Sequence, residues 1–193
     1  MLDALIVGGD SQIGKALVVR LKRDDRKVVA TTRKYPALAA QDIIPFDLRW
    51  PTFLPEARIA FFCTGINGFK PCDADPEEAR RINVTLLTAA ARQVAANGAR
   101  LVLLSSSAAE THPDTVYGTC KRDAEKVFLE LGGVCCFRFG PVAFPGRHVY
   151  PNEVYSPINL PALTDLLAGC FERWEPGLHS IYNRDWVKEE AAA

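Results

Sequence analysis

The sequence predicts a doubly wound α/β protein, a parallel sheet between two helical layers, and three observations predict it. Short runs that are apolar throughout alternate with stretches of helical periodicity along the 193 residues, the pattern of strands buried on both faces. The first run ends in a glycine-bearing turn, Gly8-Gly9-Asp10-Ser11-Gln12-Ile13-Gly14, that opens directly into a helical pattern. A later run, Leu101–Leu104, ends in Ser105-Ser106-Ser107 ahead of another helical stretch.

The elements follow in order. Leu2–Gly8 reads as a buried strand. Ile13–Arg23 reads as a helix, with Ile13, Ala16, Leu17 and Leu21 on one face and charge elsewhere. Lys27–Thr32, Asp42–Phe46 and Arg58–Cys63 read as the second, third and fourth strands. Pro76 suits the first turn of one long helix reaching Ala96, and Asn97-Gly98 suits its stop. Arg100–Leu104 is the fifth strand. Thr115–Leu131 is a helix closed by Gly132-Gly133. Val134–Phe139 is the sixth strand. A proline-rich excursion over 141–161 is expected above the strand ends, where ligands bind in such folds. A helix over Leu163–Arg173 and a strand over Leu178–Tyr182 complete the chain, and Glu189–Ala193 reads as a frayed tail.

The length suits one domain over 1–193, with 141–175 as a small elaboration. At 48% hydrophobic and 24% charged the composition is that of a globular protein. Lys plus Arg and Asp plus Glu number 23 each, so no strong field toward nucleic acid or an anionic membrane is expected. No apolar run reaches the length of a membrane span, and the N-terminus lacks the basic opening of a signal peptide. Cys63, Cys72, Cys120, Cys135, Cys136 and Cys170 form no Cys-x-x-Cys pair, and the three histidines are scattered. Reduced thiols, a cytoplasmic location and no metal site are the expectation.

Glycines in the first turn permit close approach of backbone to a pyrophosphate, and the helix N-terminus offers free amides and a favourable dipole. A triphosphate-binding reading of Gly9-x-x-x-x-Gly14-Lys15 competes, but Ala16 stands where a magnesium-binding Ser or Thr is needed. The second strand ends Thr31-Thr32-Arg33-Lys34 with no acid. A ribose 2′-hydroxyl site needs an acid there, whereas Arg33 and Lys34 suit a 2′-phosphate, so NADP is expected and NAD is the alternative.

Tyr117 and Lys121 lie four residues apart, one face of a helix. An ammonium near a phenol favours the phenolate against a reference pKa of about 10. That suits proton transfer to a carbonyl or from an alcohol near neutral pH.

With these motifs in this order, the chain resembles the extended short-chain dehydrogenase/reductase superfamily, in particular the NAD-dependent epimerase/dehydratase and dTDP-4-dehydrorhamnose reductase branches. The turn from Gly8 to Gly14 is similar to the family's Gly-x-x-Gly-x-x-Gly, with Ser11 as the middle residue. Val116-Tyr117-Gly118-Thr119-Cys120-Lys121-Arg122-Asp123-Ala124-Glu125 is similar to its Tyr-Gly-x-x-Lys-x-x-x-Glu. The resemblance implies a Rossmann-type fold and a Ser-Tyr-Lys site of Ser107, Tyr117 and Lys121, with Asn83 holding a water in a proton relay. It implies that Asp47 and Leu48 meet the adenine, that Cys63, Thr64 and Gly65 meet a ribose, and that Pro141 and Val142 lie near the nicotinamide.

The glycine turn, with Asp10, Gln12 and Ile13, would bind the pyrophosphate, and Thr32, Arg33 and Lys34 the adenosine end. The expected function is NADPH-dependent reduction of a carbonyl on a small or sugar-like substrate. The alternatives are a nucleotide-sugar epimerase or dehydratase that retains its cofactor, and a non-catalytic NADP-binding regulatory protein. The shortened substrate lobe departs from the family pattern. A homodimer packed through the helices over 76–96 and 115–131 is also implied.

Overall fold

The computed structural model describes residues 1–34, 42–50, 53–144 and 157–181. Seven parallel strands form one sheet: β1 (Leu2–Val7), β2 (Val28–Thr32), β3 (Ile43–Pro45), β4 (Ala57–Phe62), β5 (Arg100–Leu104), β6 (Val134–Phe139) and, last in the chain, β9 (Gly177–Ile181). Their spatial order is β3-β2-β1-β4-β5-β6-β9. The chain works outward from β1 to one edge, then returns to β4 and works outward to the other. The β1/β4 boundary is therefore the switch point, where a crevice opens beyond the carboxyl ends of the strands. The register places Val7 beside Phe62 and Leu103 beside Phe62 and Cys136. The three central strands therefore end nearly level, and the residues that follow them share one rim.

Helices cover both faces. On one side α1 (Gln12–Arg23) and α7 (Leu160–Ala168) pack together, and Leu17, Leu21, Leu163 and Leu167 meet Ile6, Phe61 and Val102. On the other, α4 (Leu87–Ala96) and α6 (Val116–Glu130) bury Ala91, Val94, Ala124 and Phe128 against Leu5, Phe62 and Leu103. Phe128 meets Phe62 edge to face at 5.2 Å. The helices α1 and α6 place their N-termini at the same rim. Ser11 caps α1, accepting from the Gly14 N–H at 2.9 Å, and Thr115 caps α6, accepting from Gly118 at 3.1 Å.

The structure corrects the sequence reading in four places. The single helix expected over Pro76–Ala96 is α3 (Pro76–Arg80), a π-helical turn over Arg81–Leu86, and α4. Two short helices, α2 (Phe69–Ala74) and α5 (Ala108–Thr111), fill segments with too few residues for a periodic signal. Within the proline-rich region, β7 (Val142–Ala143) pairs in parallel with β8 (Ile158–Asn159). The last helix begins earlier than expected, because Asn159 caps it and Pro161 suits its first turn; a 3₁₀ turn over Gly169–Phe171 follows. Tyr182 and the tail lie outside the described residues. The six cysteines are free thiols. Among the described residues there is no metal-ligand cluster and no helix long and apolar enough to cross a membrane.

Candidate functional site

Two adjoining pockets lie along the strand-end rim and share Thr64, Gly65 and Ile66. The larger, about 420 Å³, is walled by the ends of β4, β5 and β6 and by the start of α1 and of α6. It brings together Ser11, Gln12, Ile13, Cys63, Thr64, Gly65, Ser107, Tyr117, Lys121, Pro141 and Val142. The smaller collects Gly8, Asp10, Arg33, Asp47 and Leu48 with the shared Thr64 and Gly65. Gly14, Thr32, Lys34 and Asn83 wall neither pocket.

The four outside the walls have visible structural roles. Gly14 is buried in the turn, where an added Cβ would stand 2.3 Å from the Gly8 carbonyl oxygen. Thr32 accepts the Lys34 N–H at 3.1 Å, which fixes the chain as it leaves β2. Asn83, only 3% exposed, spends its amide on Ile66: Oδ1 accepts the Ile66 N–H at 2.7 Å and Nδ2 donates to the Ile66 carbonyl at 2.9 Å. It is neither a surface helical residue nor part of the pocket wall.

The turn after β1 is compact. Gly8 adopts φ +92° and its N–H donates to Thr31 Oγ1 at 2.9 Å. A Cβ at Gly8 would stand 2.7 Å from the Cys63 carbonyl oxygen, so only glycine lets β1, β2 and β4 close around the turn. The Ser11 hydroxyl uses the Gly14 N–H, and Lys15 N–H returns to the Ser11 carbonyl. The N–H groups of Gln12 and Ile13 meet no acceptor among the described residues. They sit at the pocket wall, at the positive end of a twelve-residue helix. That is an anion cradle, and it fits a pyrophosphate.

Tyr117 lies in the first turn of α6, its ring buried against Cys72, Ala79 and Ala108. Its hydroxyl donates to Asn67 Oδ1 at 2.5 Å. Lys121 is one turn further along; its ammonium donates to the Leu104 carbonyl at 3.1 Å and stands 5.7 Å from the Tyr117 ring centroid. Ser107 follows β5, and its N–H donates to the Phe139 carbonyl at 2.9 Å. The serine run divides by role. Ser105 donates its hydroxyl to Glu125, Ser106 accepts the Ala108 N–H, and the Ser107 hydroxyl has no partner among the described residues. Ser107 is thus the member left available at the pocket. Burial pushes the Cys63 thiol, on the same wall, up to about 12.

Sequence reasoning missed Asn67, Phe69, Thr111 and His112, all on the larger pocket's wall. Phe69 meets the Tyr117 ring edge to face at 5.6 Å and the His112 ring at 5.1 Å. Nothing in their local pattern sets them apart, except that Asn67 stands in Gly65-Ile66-Asn67-Gly68, a glycine-bounded loop directly after a strand. Arg49 also reaches the smaller pocket, held by Glu78 at 2.8 Å.

No protein-family model matches the chain, and no curated protein matches it in sequence. Solved structures do match in fold. MoeE5 in complex with UDP-glucose and NAD superposes with a TM-score of 0.78 at 21% identity, over 93% of this chain and 75% of that one. A dTDP-4-dehydrorhamnose reductase from Bacillus anthracis in complex with NADP gives 0.71 at 17%, over 94% and 75%. A UDP-N-acetylglucosamine 4-epimerase from Bacillus cereus gives 0.75 at 15%, over 94% and 78%. The chain therefore has the Rossmann-type fold of these proteins.

Proposed function

We propose that the chain is an NAD(P)-dependent oxidoreductase that reduces a carbonyl on a small or sugar-like substrate, with NADPH as the reductant. One observation carries the reading. Ser107, Tyr117 and Lys121 wall a single pocket that continues, past Thr64 and Gly65, into a second pocket holding Gly8, Asp10, Arg33 and Asp47. A proton-transfer group and a dinucleotide cradle are thus continuous. The fold likeness to proteins complexed with NAD and with NADP supports it.

In this reading the free amides of Gln12 and Ile13 hold the pyrophosphate, Asp47 meets the adenine, and Arg33 meets the 2′-phosphate. Arg33 is exposed on the smaller pocket with no ion-pair partner among the described residues, and it takes that role without Lys34. A bound nicotinamide dinucleotide supplies the hydride; everything else falls to the chain. The Tyr117 hydroxyl delivers its proton to the substrate oxygen. The Ser107 hydroxyl donates a hydrogen bond to the same oxygen and stabilises the charge that grows there. Lys121, anchored on Leu104, keeps a positive charge beside the phenol. Phe69 walls the tyrosine and limits the entry of water.

Parallel titrations with NADPH and NADH, followed by cofactor fluorescence, test the proposal. Tight NADPH and weak NADH binding is the expected result; binding of neither overturns it. The fold likeness to a sugar epimerase supports a second reading, in which the cofactor stays bound and is not consumed. Purified protein carrying a full equivalent of NAD(H) would favour that reading. A homodimer packed through α4 and α6 belongs to the same proposal, and a monomer mass by light scattering at micromolar concentration would remove it.

A further inference from the structure

The Tyr117 hydroxyl is not idle in this structure. It donates to the side-chain carbonyl of Asn67 at 2.5 Å. Asn67 belongs to the loop between β4 and α2, bounded by Gly65 and Gly68 at φ +131° and +94°. Such backbone favours glycine, and it lets the chain reverse direction on either side of Asn67. The loop is also held from both sides. Asn83 takes both backbone groups of Ile66, at 2.7 and 2.9 Å, and Phe69 lies against the Tyr117 ring. Gly65 is part of the same fit, since a Cβ there would stand 2.6 Å from Asn83 Oδ1.

We propose that Asn67 is a positioning residue for the Tyr117 proton. In the resting pocket its amide carbonyl stands in for the substrate's carbonyl, holding the phenol as a proton donor until substrate displaces it. An amide oxygen and a ketone oxygen both accept near the plane of the C=O group, so the exchange needs no new aim of the hydroxyl. Once displaced, Asn67 still presents two N–H donors to the pocket. Asn83 then acts through Ile66, by fixing the loop that aims Asn67. The part concerning substrate rests on the function proposed above; the coupling between Asn67 and Tyr117 does not.

The test reads Tyr117 directly and needs no substrate. Phenolate absorbance is followed against pH, and the Tyr117 curve is taken as the difference from the Tyr117→Phe protein. A carboxylate in place of the amide disfavours the phenolate and an ammonium favours it. Asn67→Asp should therefore move the curve up, and Asn67→Lys move it down, by about one pH unit each. Curves that stay in place, or that both move the same way, overturn the proposal. A second readout avoids alkaline pH. The ring-carbon resonance next to the Tyr117 hydroxyl, assigned by its loss in Tyr117→Phe, should move in Asn67→Leu at neutral pH; an unmoved resonance overturns the hydrogen bond. In an Asn83→Ala background the separation between the Asp and Lys curves should fall by half or more; an undiminished separation removes Asn83 from the assignment. Failure of the parent protein to bind NADPH or NADH would sink the proposed function and leave these results standing.

Discussion

Glu125 of α6 grips Arg138 of β6 through both carboxylate oxygens, at 3.0 and 2.7 Å, and the same carboxylate accepts the Ser105 hydroxyl. The Glu125 side chain is 3% exposed and that of Arg138 16%. One buried acid thus ties together the end of β5, the helix carrying Tyr117 and Lys121, and the strand leading to Pro141. Removing Glu125 takes the bidentate partner from a mostly buried guanidinium and leaves it the longer contact with the exposed Glu110, at 3.4 Å. Glu125→Ala should cost about 3–5 kcal/mol in urea unfolding. A loss below about 1 kcal/mol would mean that the pair is effectively solvated.

Alkaline pH should destabilise the fold through its thiols. Burial pushes Cys63 and Cys136 up to about 12, and it also raises Cys72 and Cys120. In the unfolded chain a thiol ionises near pH 8.5–9, about its reference value. Above that the folded chain keeps protons that the unfolded chain has lost, so stability falls as pH rises toward about 12. Tm should decline steadily from about pH 9 upward. Cys136→Ala should flatten the decline, and a decline of unchanged slope would assign the effect elsewhere.

Ser11 should prove a cap and not an obstruction. Its hydroxyl holds the Gly14 N–H, so Ser11→Ala should cost about 1 kcal/mol in thermal or urea unfolding, and Ser11→Gly only a few tenths. NADPH affinity should survive Ser11→Gly. A gain of tenfold or more in that variant would show instead that the serine keeps the phosphates at a distance.

Gly118 should tolerate no side chain. A Cβ there would stand 2.0 Å from the His112 carbonyl oxygen and 2.5 Å from that of Ala108. Both are backbone atoms, so α6 must move away from α5. Gly118→Ala should destabilise by about 3 kcal/mol and displace Tyr117 from the pocket. A variant with parental Tm would contradict the close approach.

The two basic residues after β2 should separate in binding experiments. Arg33→Ala should weaken NADPH binding about tenfold, or about 1.4 kcal/mol, and leave NADH binding unchanged. Lys34→Ala should change neither. Equal losses for the two variants would restore the two-residue clamp read from the sequence.

The fold was legible because its signals are local. Each parallel strand is a short apolar run, and each major helix carries its own stop, cap or periodic face. Every strand of the sheet lies within one residue of its expected bounds at each end; Tyr182, the expected end of the last strand, lies outside the described residues. The pocket was legible where a residue type is tied to a strand end or a helix start, as with Gly8, Ser107 and Tyr117. It was illegible where the determinant is a contact between distant segments. Nothing near Asn67 announces that residue 117 will bond it, and nothing near Asn83 announces that its amide will be spent on Ile66. Glu125 offered a usable signal, an acid on the buried face of α6 in line with Tyr117 and Lys121, although its partner Arg138 could be found only in three dimensions.

The wide turn between α3 and α4 works as a phase correction. Ala79, Asn83, Leu87 and Ala91 recur every fourth residue and all face inward. In an unbroken α-helix each four-residue step drifts by about 40°, so the fourth member would sit about 120° from the first. The π turn absorbs that drift; the Leu87 N–H reaches back five residues to the Ile82 carbonyl. Deleting one residue within 81–86 would restore a regular helix and swing one half of the series outward. The register of this helix is therefore counted in residues as well as chosen by composition, and a length change here would be more damaging than most substitutions.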